Sequence, residues 1–353
     1  MSLQDPTNFC RNAVELIVSI IALVKDEIII VKTSLIGSIL SNLLLVMGMC
    51  FFFGGLRREE QFFNVTVATT AASLLALAIA AIIIPSAFNQ FSIANDTADT
   101  ADQKTHRTAS ISRATAIILL FVYACYLIFQ LKTHSAIYMQ KSKKAVVKPS
   151  KRKLPEGSVV KALAAAGGIG AGPGRTNPES SNLQTTDELL QTNAYELQRM
   201  AEDEEDDEPN LHIGVAVGLL AGCTVVIALC AEFMVDAISA ITDGGSVSAE
   251  FVGLILLPIV GNAAEHATAV TVAVKDKMDL AIGVAVGSSM QVALLIIPLT
   301  VVLGWGLGKD TMDLSFDGFQ VAVLFVSVLL VNYLISDGKS SKHFLNVFFS
   351  LRT

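Results

Sequence analysis

Charge is scarce in this chain. Only 16% of its 353 residues are Asp, Glu, Lys or Arg, against about 25% in a soluble globular protein. A surface wetted on all sides is excluded. Cysteine is scarce too, with five residues (Cys10, Cys50, Cys125, Cys223, Cys230). None has metal-ligand or redox spacing and most fall in apolar stretches, so they read as small packing residues. The opening MSLQDPTNFCR lacks the basic start, apolar middle and small-residue cleavage site of a signal peptide. No nucleophile–base set and no phosphate-binding loop is present, which argues against an enzyme and against a cofactor. Nucleic acid is not an expected partner. The formal net charge of −7 comes from one run, Glu202, Asp203, Glu204, Glu205, Asp206, Asp207 and Glu208. Without that run the charges balance, so the acidity describes a segment and not the whole surface.

Apolar residues make up 52% of the chain, and they come in blocks. Runs of about 18 or more such residues predict membrane-spanning helices. Blocks of this kind lie near 33–54, 65–88, 112–132, 211–235, 250–274, 279–304 and 318–335, with shorter ones at 12–24 and 343–351. The lipid bilayer is therefore the expected surrounding. Residues 134–210 separate two groups of spans. They run from a basic stretch (KSKKAVVKPSKRK) through a Gly/Ala-rich one to the acids. The first two parts read as disordered. The third, after Thr186, reads as an amphipathic helix running into Glu202–Glu208, either a regulatory Ca²⁺-sensing segment or a solvated tail.

Positive charge in the loops sets orientation. Counting 12–24 as the first span, loop two carries Arg57 and Arg58, loop four the 141–153 cluster and loop six Lys275 and Lys277. The even loops are expected in the cytosol. Lys104, Arg107 and Arg113 in loop three run against this, while loop five has no positive charge. Asn95-Asp96-Thr97 in loop three is an acceptor pattern for glycosylation.

The chain repeats itself. A shift of 250 residues places Asn12, Ala13 and Glu15 on Asn262, Ala263 and Glu265, and Val24-Lys25-Asp26 on Val274-Lys275-Asp276. Gly37-Ser38, Leu44-Leu45 and Gly54 meet Gly287-Ser288, Leu294-Leu295 and Gly304, eleven identities over 43 gapless positions. Five spans separate the copies. An odd number of crossings inverts the second copy, as in secondary transporters whose site lies where inverted repeats meet.

Asn12 and Glu15 are three residues apart, as are Asn262 and Glu265, so each pair shares a helix face. Carboxylates at membrane depth face a bundle interior or a water-filled cavity and are functional by default. Two carboxylates with amide oxygens make a hard-oxygen site suited to Ca²⁺ or a similar cation. Protons can neutralise the same pair, so cation and protons should displace each other. Pro258 and Gly261 are expected to break the span just before Asn262 and free carbonyls. Ser38, Ser41, Ser288 and Gln291 are candidates to touch the ion or its water, or else to allow close packing. His266 is either a proton-sensitive neighbour or a hydrogen-bonding group between helices.

RNAVELIVSIIAL at 11–23 and PIVGNAAEHATAVTVAVKDKMDLAIGVAVGSSMQVAL at 258–294 resemble the two signature repeats of the calcium/proton exchanger (CAX) family, most of all its fungal vacuolar members. GSILSNLLLVMGMCFFFGG at 37–55 and the acidic linker fit as well. The resemblance implies an all-α, polytopic membrane protein with the inverted-repeat cation antiporter fold. It implies that cytosolic Ca²⁺ enters the vacuole as H⁺ leaves, with the vacuolar membrane as the expected location. Glu15 and Glu265 would be the paired ion carboxylates and Asn12 and Asn262 their amide partners. Na⁺/Ca²⁺ exchange, Mn²⁺/H⁺ exchange and a non-transporting fragment stand as alternatives. The expected division is an atypical start at 1–11, a partial first repeat with about four spans at 12–133, a cytosolic linker at 134–210 and a second repeat at 211–353 with a shortened last helix. Where the family has Gly before its first Asn, this chain has Arg11, which either repels the cation or pairs with Glu15. Oligomeric state is not legible.

Overall fold

The structure, a computed structural model, describes residues 12–56, 60–94, 101–134, 137, 213–243, 247–336 and 338–341. The expected atypical start, the linker with its acidic run apart from residues 134 and 137, the Asn95 triplet and the shortened last helix lie outside the described residues. Residues 1–148 with 224–353 form one compact unit and 149–223 a second. In the second unit the described residues belong to the start of the helix Ile213–Asp243.

Among the described residues the seven apolar blocks are helical, and by length and composition they supply six membrane crossings, or seven with one bent pair counted as a span. Six are long and apolar enough on their own: 28–55, 65–91, 106–133, 221–238, 278–306 and 318–335. The seventh is a broken span, Ala249–Gly261 and Ala263–Val274, bent by 52° at Asn262. The shorter block is helix α1 (Ala13–Val24). Two spans form the centre. Their most apolar windows are 61% buried in 28–55 and 72% in 278–306, against 17–33% in the other four. The outer helices turn Phe121, Phe233, Phe319 and Tyr333 outward at 69–78% exposure. Water would not tolerate so much apolar surface, but hydrocarbon does.

The repeat is carried by the backbone as well as the side chains. Helix α1 and helix α2 (Ile28–Leu40) recur as Ala263–Val274 and Met278–Gln291. Each second helix then widens into a π turn, Ser41–Val46 or Val292–Ile296, and resumes as α-helix, Met47–Gly55 or Ile297–Gly306. The Val-Lys-Asp turns match bond for bond. Glu27 N–H reaches Ala22 O and Lys277 N–H reaches Val272 O, both at 2.9 Å. Asp26 and Asp276 are left-handed, with φ of 68° and 65°. This is the Schellman stop with Asp in the usual Gly place. The helix end is closed from outside by a residue of the loop after the π-bearing span. Lys309 Nζ meets Leu23 O (2.7 Å) and Asp26 Oδ1 (2.8 Å). Gln61 Nε2 meets the equivalent Ala273 O (2.9 Å) and Asp276 Oδ1 (3.0 Å). These loops fold back so closely that the matched Gly54 and Gly304 have no room for a Cβ, which would lie 2.2 Å from Gln61 Oε1 and 2.7 Å from Met312 Cβ.

Contacts sort the loops into two sets. Loop one meets the end of span 221–238 and loop seven through Lys25–Asp236 (2.5 Å) and Lys309–Asp26 (2.8 Å). Loop seven also takes Lys32 onto Asp313 (2.5 Å), Asn89 onto Ser315 Oγ (2.7 Å) and Arg113 onto Asp310. On the other side Gln61 reaches Asp276 and Asn64 reaches both Asp279 and Ile137 O. There too a short antiparallel ribbon pairs β1 (Glu60–Phe62) with β2 (Lys339–Ser341) in the register Gln61 to Ser340. These contacts gather odd loops on one face and even loops on the other, as alternate crossings of the membrane require. The ribbon is the one departure from an all-helical composition among the described residues.

Candidate ion-binding site

Both signature asparagines stand at helix starts. Asn12 and Asn262 occupy the residue before α1 and before Ala263–Val274, with nearly equal backbones (φ −101°, ψ 26° and φ −93°, ψ 12°). Their carbonyls accept the first helical bonds, from Leu16 N–H at 3.2 Å and His266 N–H at 2.9 Å. Neither side chain caps its own helix. Glu15 and Glu265 lie in the first turn, where the partial positive charge of a helix N-terminus offsets part of the cost of a carboxylate in apolar surroundings, about 0.3–1 kcal/mol.

The asparagine side chains reach across the repeat boundary instead. Asn12 Nδ2 donates to Ser288 O (3.0 Å) and Gln291 Oε1 (3.2 Å). Asn262 Nδ2 donates to Ser38 Oγ (3.0 Å) and Asn42 Oδ1 (3.3 Å). Ser38 Oγ in turn faces Glu15 Oε1 at 3.4 Å, and Asn42 Nδ2 donates to Ser288 Oγ at 3.0 Å. The result is one connected set of Glu15, Ser38, Asn262, Asn42, Ser288, Asn12 and Gln291. Both motif oxygens, Asn12 Oδ1 and Asn262 Oδ1, are buried without a hydrogen-bond partner among the described residues. An unmatched buried amide oxygen costs about 1–3 kcal/mol, and a hard cation is a partner that would remove that cost. Both Glu265 carboxylate oxygens are buried as well. Among the described residues no three His, Cys, Asp or Glu side chains cluster. Glu15 is the carboxylate that joins the connected set, through Ser38, and its oxygens with the amide oxygens are of the hard type that suits Ca²⁺ better than a soft metal.

The remaining sequence candidates fall nearby in different ways. Ser41 Oγ lies 3.2 Å from His266 Nε2, joining π turn and broken span beside the network. Pro258 removes a donor to Leu254, and the chain runs through a π turn, Val252–Leu256, ahead of it. The Leu254 carbonyl faces Gly37, where a Cβ would lie only 2.3 Å from it. Gly37 thus lets the broken span touch α2. A Cβ at Gly261 would meet nothing within 4 Å, so it is not there for close packing. Asn42 is the member of the network that sequence reasoning missed. It stands opposite Val292 in the repeat, so the comparison passes over it, although an amide inside an apolar span was itself a signal.

A cavity of ≈ 230 Å³ opens beside the network, lined by Glu15, Ser38 and Asn262 and walled by apolar side chains such as Val226 and Met234. Its other lining residues include Val18 and Ser34, which lie between the site and the odd-loop face.

Inverted helical repeats, one of them broken at Asn262 and the two joined by one buried polar set, define a multi-pass membrane protein. The sodium/calcium exchanger protein family profile matches residues 8–132 and 215–351, and the chain belongs to that family. It is 42% identical to a vacuolar calcium ion transporter of Cryptococcus neoformans var. grubii, over 94% of this chain and 58% of the relative. It is 37% identical to a Ca²⁺/H⁺ antiporter of Aphanothece halophytica, over 94% and 74%. Among solved structures, native YfkE matches with a TM-score of 0.59 and 27% identity, over 93% of this chain and 74% of that one. The chain spans less than two thirds of the fungal relatives it matches, 58% and 64%.

Proposed function

We propose that the protein is a secondary antiporter that moves Ca²⁺ out of the cytosol in exchange for H⁺, using Glu15 and Glu265 as paired carboxylates. The observation that carries this is the pair of open amide oxygens, Asn12 Oδ1 and Asn262 Oδ1, each at the start of a helix whose first turn bears a glutamate. With Ca²⁺ bound, the carboxylates are ionised and the amide oxygens turn to the metal. With the metal gone, protons neutralise the carboxylates, so the site returns across the membrane without net burial of two charges. Ser38, Ser288 and Gln291 hold the donors in place, and Ser41 with His266 buttresses the broken helix. The relatives named as vacuolar calcium transporters support the vacuolar membrane as the location. No cofactor is required and no nucleic acid takes part.

Access alternates. The cavity lined by Glu15, Ser34 and Val18 supports a route to the site from the odd-loop side. The inverted arrangement supplies the opposite state by exchanging the roles of the two repeats. The acidic segment Glu202–Glu208 serves as a cytosolic regulatory element.

The test is uptake of Ca²⁺ into vesicles containing the full chain, driven by an imposed pH gradient. Glu265→Gln is expected to abolish uptake, and normal uptake by that variant would falsify the site. The family's description favours one second reading, Na⁺/Ca²⁺ exchange. Uptake driven by a Na⁺ gradient at equal pH would establish it in place of the first. Mn²⁺ competition with Ca²⁺ measures selectivity, and a wild-type chain that moves neither ion is a fragment without transport.

A further inference from the structure

An asparagine amide is a ligand at one end and a repellent at the other. Its oxygen attracts a cation and its NH₂ group does the opposite. The value of Asn12 and Asn262 to an ion therefore depends on which end is held away, and the structure shows what holds it. Each amide has two N–H bonds to place, and in each half both go to the opposite repeat. One is taken by the aligned serines, at Ser288 O for Asn12 and at Ser38 Oγ for Asn262. The other is taken by a side-chain amide oxygen, Gln291 Oε1 for Asn12 and Asn42 Oδ1 for Asn262.

These last two residues are not aligned with each other. A shift of 250 sets Gln291 against Ser41, and Asn42 against Val292. The acceptor has moved one position along the helix and lost one methylene, yet it performs the same contact. Asn42 is fully buried, at 0% exposure, and its own NH₂ group is occupied by Ser288 Oγ. Its oxygen is thereby fixed toward Asn262.

We propose that Asn42 is a positioning residue for the cation site. It locks the Asn262 amide with Oδ1 toward the ion, the task Gln291 performs for Asn12. This rests on the reading of the network as the Ca²⁺ site. Because the two orienting residues differ in length and in register, the half-sites are chemically unequal despite matching backbones.

The experiment measures Ca²⁺ binding to the purified full chain in detergent and pH-driven Ca²⁺ uptake in vesicles. Asn42→Val, which installs the residue found at 292, is expected to weaken Ca²⁺ binding about tenfold, the worth of one orienting hydrogen bond. The double variant Ser41→Gln/Asn42→Val copies the order of the second repeat into the first. Compared with Ser41→Gln alone, which accounts for the lost contact to His266, it is expected to show no further loss. A purely packing role would lower the unfolding temperature of Asn42→Val, leave Ca²⁺ affinity unchanged, and gain nothing from Gln at 41. Unchanged affinity in Asn42→Val, or failure of Gln at 41 to compensate, overturns the proposal while a loss of binding in Glu265→Gln keeps the site intact. Normal binding by Glu265→Gln, or no binding by the wild-type chain, overturns the site itself.

Discussion

Lys32 and Asp313 offer a perturbation whose cost follows from geometry. Lys32 lies on α2 with its Nζ 2.5 Å from Asp313 Oδ1 and 3.2 Å from Ser315 O. The two side chains are only 18% and 11% exposed. The aligned residue in the second repeat is Ile282, so the helix tolerates an apolar side chain at this register. Lys32→Ile removes the ammonium and leaves the Asp313 carboxylate in place. Breaking a fully buried pair costs about 3–5 kcal/mol because one charge is stranded. Here Asp313 keeps one bond, from Ser315 N–H at 2.9 Å, and some solvent. The expected loss is thus smaller, about 2–3 kcal/mol. Adding Asp313→Asn removes the stranded charge and should recover most of it. Thermal unfolding of the purified chain in detergent measures both variants. If Lys32→Ile is as stable as wild type, or the double variant is no better than the single one, the pair does not fasten loop seven to the first repeat.

Two further outcomes follow from close approaches and open donors. Gly37→Ala should cost at least about 2–3 kcal/mol, since the new Cβ would lie 2.3 Å from a backbone carbonyl that cannot swing aside. Low folded yield of Gly37→Ala beside normal yield of Gly48→Ala, where a Cβ meets nothing within 4 Å, is the readout. Saturating Ca²⁺ should raise the unfolding temperature of the wild-type chain, because binding to the folded state adds about 2.7 kcal/mol at a hundredfold excess over Kd. The rise should vanish in Glu265→Gln, and an equal rise in that variant would place the binding elsewhere.

Much of the architecture was legible because membranes impose long apolar runs and a duplicated fold repeats its punctuation. Val-Lys-Asp and the Asn/Glu pairs marked equivalent turns, and the backbone follows them with the same left-handed aspartates. Pro258 marked the broken span, which bends four residues later at Asn262. The π turns were not legible. Val292–Ile296 precedes Pro298 and Val252–Leu256 precedes Pro258, but Ser41–Val46 has no proline after it. Asn42 was hidden because its task in the other half falls to a neighbour one position away. Repeat alignment detects residues that keep their place, whereas hydrogen bonding keeps only the contact. Lys32–Asp313 was hidden for another reason. It joins positions 281 residues apart, and nothing local in either segment announces the other.

The paired aspartate turns carry a consequence for the water on each side of the bilayer. Their backbones are alike, but one is fastened by the charged Lys309 and the other by the neutral Gln61. Asp26 is 73% exposed, so dissolved ions screen its pair, which is worth about 0–1 kcal/mol. The amide at Gln61, itself 1% exposed, has no formal charge to screen. Ionic strength therefore acts as a one-sided input. Salt in the compartment facing the odd loops slackens the end of α1, and the same salt in the other compartment leaves its twin fastened. A duplicated fold with matching backbones thus meets two solutions that it does not feel equally.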